Sequence, residues 1–314
     1  MTIERYQIAN REQWLDLRRA DITASDVAIV CGMGAYGSAA ELYAEKKGLR
    51  PPLIDSGVLK RGRWGEAAVF EALLDVYPEW EIRRAKIYLR DPSLRLGATP
   101  DGFAIAPDRD GIGVVQAKVV SRWIFRNNWL DDYDDNIQTG SATPPDGYML
   151  QTLTEEMLAE AKWGCLAVLI NGEYDWSFRL FDIPRSADFE HLIKSNVDRF
   201  WRKYLDANIM PEFDPQVDSR LIKLLYPQDT GETLDLTRDN RALELVEGFV
   251  EKKAGVKRLN SEIDDIQTEL QGKLGEFTFG LLSDGRRLRW KTQHRKAYTV
   301  AASHPRVFKI LKPE

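Results

Sequence analysis

The sequence predicts a mixed α/β (α+β) fold: a core over about 1–213, with strands between helices, and an extension over 216–314 built from a long helix and a hairpin. Three observations predict it. Apolar residues recur at helical spacing before residue 76 and again over 185–207. Between these stretches, 82–120 switches to short β-rich runs broken by turn residues. Further on, 238–273 is charged, free of proline and apolar at near-heptad positions. The chain of 314 residues is long enough for about two domains at roughly 150 residues each.

The elements follow in order. Residues 10–20 read as a helix carrying Trp14, Leu15 and Leu17. In Ile22-Thr23-Ala24-Ser25-Asp26, either Thr23 or Ser25 is placed to cap the next helix, since a hydroxyl accepts from a free backbone N–H there. A helix over 38–48 stops at Gly48, ahead of Pro51-Pro52. The helix over 58–76 sets Val69, Phe70, Leu73 and Leu74 on one face and carries Glu66. Strands are expected over 82–90, 95–99, 103–106 and 112–120. A helix with Gln151 and Met157 leads to a strand over 165–170, and Asn171-Gly172 offers the positive φ angles of a tight hairpin back through 174–183. Residues 185–207 form an amphipathic helix rich in aromatics. Past the boundary at 211–215 come a short strand, the long helix with its unpartnered stripe, and a hairpin turning at Asp284-Gly285.

Composition narrows the function classes. With 43% hydrophobic and 30% charged residues the chain is no disordered tail. No apolar run reaches the ~18 residues of a membrane helix, and the first residues lack the apolar core of an export signal, so a cytoplasmic protein with no membrane partner is expected. Two cysteines, Cys31 and Cys165, stand outside any metal spacing. Three scattered histidines give little support to zinc or triad chemistry. A net charge of −5 argues against coating nucleic acid over the whole surface but leaves room for a local basic groove.

Two constellations offer chemistry. Gly32-Met33-Gly34-Ala35-Tyr36-Gly37 follows Val27-Ala28-Ile29-Val30 and matches the dinucleotide-binding pattern G-x-G-x-x-G. That pattern needs a preceding strand and further βαβ units, which Pro51-Pro52 and the helix over 58–76 deny it. A Gly-rich turn between helices is favoured. The other constellation is spread out. Asp101, in Thr99-Pro100-Asp101-Gly102, ends one strand, and Gln116 and Lys118 share a face of the next because side chains at i and i+2 point together. With Glu66 they make a patch of oxygen donors beside one ammonium, an environment that suits a hard divalent cation. The plain alternative is a hairpin with a solvated polar edge. The flanking Val114, Val115, Val119 and Val120 argue instead for a buried strand, in which Lys118 needs a partner.

Read in order, Leu17-Arg18-Arg19-Ala20-Asp21 with Ile22 to Asp26, Gly62-Arg63-Trp64-Gly65-Glu66, Pro100-Asp101-Gly102, Gln116-Ala117-Lys118 and Tyr148-Met149-Leu150-Gln151 resemble the phage lambda-type alkaline exonucleases, the YqaJ-like viral recombinases of the PD-(D/E)XK nuclease superfamily. The resemblance covers roughly residues 10–205. It implies a restriction-endonuclease-like core with a central mixed sheet flanked by helices. It also implies Mg²⁺-dependent 5′→3′ digestion of one strand of duplex DNA, with Mn²⁺ as a substitute. Glu66 matches a helix carboxylate near the metal, Asp101 the bridging aspartate and Lys118 the catalytic lysine. The Ala117 backbone carbonyl matches a metal ligand. Arg18 and Ser25 match positions holding the 5′-terminal phosphate, and Gln151 matches a helical glutamine near the site. Ring-shaped homotrimers and a single-strand annealing partner belong to the same implication.

Two positions depart from the family pattern. Gln116 stands where the family has Glu; an amide oxygen can approach a cation but brings no charge. Leu153 stands where many relatives repeat a glutamine. Gln116 keeps open a catalytically weakened DNA-end-binding protein, and Gly32, Gly34 and Gly37 keep open a nicotinamide-dependent oxidoreductase. An endonuclease or a single-strand exonuclease is the near alternative within the nuclease class. Basic clusters (Lys46-Lys47, Lys60-Arg61-Arg63, Arg83-Arg84-Lys86) are candidates for a DNA channel, each against a solvated face. Trp123, Phe125 and Trp129 are candidates for stacking on a frayed strand, against the commoner role of core residues.

Overall fold

A computed structural model describes residues 2–34, 37–50, 57–129, 141–297, 299, 302 and 305–311. Two compact units divide the chain, Met1–Leu225 and Tyr226–Glu314.

The first unit opens with strand β1 (Glu4–Gln7) and helix α1 (Arg11–Ala20), whose first turn is capped where Asn10 accepts from the Gln13 N–H. Strand β2 (Ile22–Thr23) passes through a single 3₁₀ turn (Ala24–Asp26) into the short helix α2 (Val27–Val30). Helix α3 (Ala39–Lys46) is capped by Ser38, and helix α4 (Gly57–Val76) follows. Next come strands β3 (Glu81–Arg84), β4 (Ile87–Asp91), β5 (Leu96–Ala98), β6 (Gly102–Ile105) and β7 (Ile112–Ser121). Helices α5 (Arg122–Asn128) and α6 (Asp146–Ala159) precede strands β8 (Trp163–Asn171) and β9 (Trp176–Ile183). Helix α7 (Ala187–Phe200) runs into a π turn, and α8 (Ser219–Leu225) closes the unit.

The strands form two sheets, in the orders β3-β6-β7-β8-β9 and β1-β4-β5-β2. The larger sheet is mixed, with β7 and β8 parallel and its other neighbours antiparallel. Helix α6 is the crossover that a parallel pair requires. Both faces of this sheet are covered, so β7 and β8 read as nearly continuous apolar runs rather than alternating ones. On one side Val115, Ala117, Cys165 and Ala167 meet Val69, Phe70 and Leu73 of α4. On the other, Val120, Leu166 and Val168 meet Leu150 and Leu153 of α6 and Val197 of α7. This is the α+β architecture expected from the sequence, a central mixed sheet between helical layers.

Val27–Val30 is a helix, in line with the favoured turn between helices, so the dinucleotide reading lacks its strand. Three local expectations are corrected. The hairpin after β8 pairs Asn171 with Trp176, leaving a four-residue loop closed by the Gly172 N–H on the Asp175 carbonyl at 2.9 Å. Neither Asn171 nor Gly172 has a positive φ. Gly172 is needed for space: a Cβ there would lie 2.8 Å from the Asp175 backbone carbonyl oxygen. The short strand expected after 215 is instead helix α8, because Leu221 docks on Ala40 and Ala44 of α3 while Asp218 accepts from Ser38 at 2.6 Å. Leu74 points to solvent rather than into the face formed by Val69, Phe70 and Leu73.

The second unit holds the 35-residue helix α9 (Asn240–Leu274) and the hairpin of β10 (Phe279–Leu281) and β11 (Arg287–Arg289). Gly285 takes φ +85° at its turn, as the Asp284-Gly285 signal requires.

One buried acid in the core makes a pH prediction. Glu156 on α6 is inaccessible and neither of its carboxylate oxygens has a hydrogen-bond partner. Burial pushes its carboxyl up to about 8, against the pull of Arg185 and with a push from Glu190. Gly164 makes the space: a Cβ there would sit 1.9 Å from a Glu156 oxygen. An unfolded chain releases this proton near 4.5, so from there up to about 8 the folded chain holds more protons and loses stability as pH rises. The thermal midpoint is therefore expected to fall across that window, and Glu156→Gln to flatten the slope. Equal slopes in the two proteins would remove Glu156 as the cause.

Candidate active site

Strand β7 carries the centre of the site. Its alternation turns Val115 and Ala117 to the α4 layer and Gln116 and Lys118 to the α6 layer, as the i, i+2 rule predicts. Asp101 precedes β6, whose Gly102 pairs with Val115, and this register sets its carboxylate beside residues 116 and 117. Asp101 Oδ2 accepts from the Ala117 N–H at 2.9 Å and from Gln116 Nε2. In an extended strand a residue's N–H and C=O lie on the same edge, so the Ala117 carbonyl shares the Asp101 side.

From the α6 layer, Gln151 stitches the group together. Its Oε1 accepts from Lys118 Nζ at 3.2 Å, and its Nε2 donates to Gln116 Oε1 at 3.1 Å and to Glu155 Oε1 at 3.0 Å. The Lys118 ammonium also lies 5.2 Å from the Tyr148 ring. From the α4 layer comes Glu66, bonded to Arg84 at the end of β3. Gly65 permits this approach, since a Cβ there would meet a Val119 methyl at 2.6 Å. Glu66 and Gln151 thus approach the β7 group from the two helical layers, Glu66 close enough to act on the Asp101 charge.

Charge is crowded here. Burial pushes the Asp101 carboxyl up to about 6; Lys118, the Ala117 N–H and Arg84 pull it down, and Glu66 pushes it further up. Burial likewise raises Glu155 well above the usual carboxylate range, and the nearby Asp101 adds to it. Glu155 Oε2 is buried with no hydrogen-bond partner. Among the described residues no three His, Cys, Asp or Glu side chains gather closely enough to hold an ion alone. The available donors are therefore two carboxylates, Asp101 and Glu66, with the Gln116 amide oxygen and the Ala117 carbonyl. All are oxygens, the donor type that Mg²⁺ takes with water filling the remaining positions.

A second polar cluster adjoins α1. Arg18 Nη2 donates to Ser25 Oγ at 3.0 Å, and the guanidinium lies 4.8 Å from the Trp14 ring. Trp14 Nε1 in turn donates to Thr99 Oγ1 at 3.1 Å, two residues before Asp101. Beneath them Lys46 Nζ donates to the Arg18 carbonyl at 2.9 Å and to Asp26 Oδ2 at 3.0 Å. Burial works against the Asp26 charge, yet Lys46 and Arg18 outweigh it and hold the carboxyl below its ordinary range. Thr23 completes a capping box with Asp26. The buried pair fixes the turn, while Ser25 and part of Arg18 stay open to solvent.

Residues 13–162 match the YqaJ-like viral recombinase domain, a span running from before Arg18 to past Glu156. They form a YqaJ-like viral recombinase domain. A curated relative, the uncharacterized protein YqaJ of Bacillus subtilis (strain 168), is 23% identical over 285 residues, covering 88% of this chain and 82% of that protein. Among solved structures, an alkaline exonuclease (LHK-Exo) from Laribacter hongkongensis aligns at 18% identity over 68% of this chain and 100% of its own, with a TM-score of 0.46. A phage related exonuclease from Haemophilus somnus 129PT aligns at 10% identity over 62% and 99%, with a TM-score of 0.43.

Within the YqaJ-like domain, the residues singled out from the sequence fall into two groups. Glu66, Asp101, Gln116, Ala117, Lys118 and Gln151 converge on one place, and Arg18 and Ser25 on another. Other candidates part from their expected roles. Phe125 and Trp129 are fully buried and stacked on each other at 5.4 Å, so they are core; Trp123 alone of that trio is exposed. Lys46 is no groove lysine, since its ammonium is consumed by Asp26. Leu153 packs in the core, pointing away from the Gln151 face. Sequence reasoning missed Glu155, and it gave Arg84 a place in a DNA channel where the structure pairs it with Glu66. Glu155 had a signal, for it lies one helical turn beyond Gln151 on the same face. Among the described residues no helix is long and apolar enough to cross a membrane. Cys31 and Cys165 are free thiols.

Proposed function

We propose that this protein is a Mg²⁺-dependent exonuclease that digests one strand of linear double-stranded DNA 5′→3′ and leaves 3′ single-stranded overhangs for recombination by strand annealing. One juxtaposition supports this reading: Asp101, Gln116 and Lys118 meet at the sheet margin between Glu66 of one helical layer and Gln151 of the other. Asp101, Glu66, the Ala117 carbonyl and the Gln116 amide oxygen would hold the cation, with Mn²⁺ a substitute of the same oxygen preference. When bound, Mg²⁺ offsets charge on the scissile phosphate and eases ionisation of a water. Lys118, held by Gln151, donates to the attacking water or to the charged phosphate oxygens. Arg18 and Ser25 take the terminal 5′-phosphate, a contact that positions without reading bases, so digestion is independent of sequence. A ring-shaped homotrimer and a single-strand annealing partner belong to the same proposal.

A second reading rests on Gln116. Its amide donates to Asp101 and accepts from Gln151, so the polar network closes without an ion. That favours a catalytically weakened protein that binds DNA ends. One assay separates the two: Mg²⁺ titration on linear and circular duplexes carrying separate 5′ and 3′ labels. Digestion of the linear duplex alone, with early loss of the 5′ label, supports the exonuclease; binding without nucleotide release supports the end-binder. In the same assay Arg18→Ala is expected to cut the preference for 5′-phosphate over 5′-hydroxyl ends roughly tenfold or more, the loss of one charge-assisted contact. An unchanged ratio would remove Arg18 from the anchor.

A further inference from the structure

Helix α9 spans 35 residues, about 52 Å at ~1.5 Å per residue, and it carries an apolar stripe. Phe249, Val256, Ile263 and Leu270 recur every seventh residue, and Leu245, Leu259 and Ile266 follow in a second row three residues after the a-type position. These are the a and d positions of a heptad seam, sustained past the three to four repeats that mark a coiled coil. The centre of the seam is open: Val256 is 57% exposed, Leu259 54%, Ile263 58% and Ile266 61%. Phe308 edges against Phe249 at 5.8 Å but leaves it 40% exposed. A helix with such a stripe needs a partner.

The two breaks in the seam say which partner. Lys252 and Lys273 occupy d positions. Parallel pairing of two copies would stack each lysine on its own copy, whereas antiparallel pairing sets each d residue opposite an a residue. Full overlap then places Val256 against Leu259, Phe249 against Ile266 and Lys252 against Ile263. Lys273 satisfies its charge at home, 3.0 Å from Glu269 one turn back. At the same offset Lys252 has Gly248, and Gly255 flanks it on the other side; a Cβ at either glycine would meet nothing within 4 Å. Those glycines occupy g positions, and antiparallel g positions face each other, so Gly255 looks onto Glu262 and Gly248 onto Glu269 of the other copy. The ammonium of Lys252 has a clear path over the glycines to these carboxylates.

We propose that α9 is an assembly element that pairs antiparallel with α9 of a second copy of this chain, with Lys252 reaching Glu262 across the seam. Pairing through α9 doubles whatever mass the first unit sets by itself.

Cysteine cross-linking of the full chain tests orientation. Val256→Cys and Leu259→Cys proteins, mixed and oxidised, are expected to give the mixed disulfide in excess over either like pair, with the parent chain as the control for Cys31 and Cys165. Like-with-like linkage would mean parallel pairing, and no linkage would mean that α9 does not pair with itself; either overturns the proposal. In parallel, Ile263→Glu, at an exposed position that leaves the fold intact, is expected to halve the mass measured by light scattering at micromolar concentration. Lys252→Glu should weaken association, and adding Glu262→Lys should restore it. An unchanged mass for Ile263→Glu, or no rescue by the charge exchange, counts against the pairing.

Discussion

Asp101→Asn and Lys118→Ala are each expected to lower digestion of linear duplex DNA by about a thousandfold or more, with the fold intact. These are the largest expected effects because, in the proposed reaction, both groups act on developing charge, where a lost donor or ligand costs roughly two to three powers of ten or more. They are also separable. In the proposed site Asp101 would hold the cation, so Asp101→Asn is expected to lose Mg²⁺ binding in calorimetry along with activity. In the same proposal Lys118 serves the water and the phosphate, so Lys118→Ala is expected to bind Mg²⁺ as the parent does and still fail to digest DNA. Neither change endangers the core. Asn keeps the acceptor that the Ala117 N–H needs and removes a carboxyl that burial already pushes up to about 6. Lys118 gives up one hydrogen bond to Gln151, worth about 1 kcal/mol. The raised carboxyl adds a pH signature: Mg²⁺ must compete with a proton at Asp101, so its binding should weaken as pH falls through about 6. Parental digestion by either variant would remove that residue from the chemistry.

The strands and helices that build this site were legible because their signals are local. β7 announces itself by Val114, Val115, Val119 and Val120, and α4 by Val69, Phe70 and Leu73 at helical spacing. Gln116 and Lys118 sharing a face follows from strand geometry alone. What the local signals lacked was tertiary in origin. Residues 219–225 are too few for their spacing to decide between strand and helix, and it is docking of Leu221 and Leu225 on α3 that makes them α8. Lys46 looks like a surface lysine until Asp26 is brought beneath it by the capping turn. Glu155 and Glu156 look like the solvated face of α6, but the helix is covered by the sheet on one side and by α7 on another, and both acids are buried. Buried acids are rare enough that composition and periodicity argue against them.

Gln116→Glu tests why an amide stands where the resemblance places a carboxylate. The new carboxylate would lose the donor that Gln116 Nε2 gives Asp101 and would add a third acidic group beside Asp101 and Glu155. In the metal-free protein a buried carboxylate facing another without a donor costs about 1–3 kcal/mol, so the thermal midpoint in chelator is expected to fall. With Mg²⁺ the sign reverses, since like charges around a cation become ligands to it and binding to the folded state alone raises stability. The variant should therefore gain a Mg²⁺-dependent thermal shift larger than the parent's, bind Mg²⁺ roughly tenfold more tightly, and digest linear duplex faster. A lower midpoint in chelator with no larger Mg²⁺ shift would mean that Gln116 faces no cation and that its amide serves only to hold Asp101 and Gln151 in place. Faster digestion without tighter binding would place the gain in the reaction and not in the ion's affinity. The two readouts thus divide the exonuclease from the end-binding reading at a single residue.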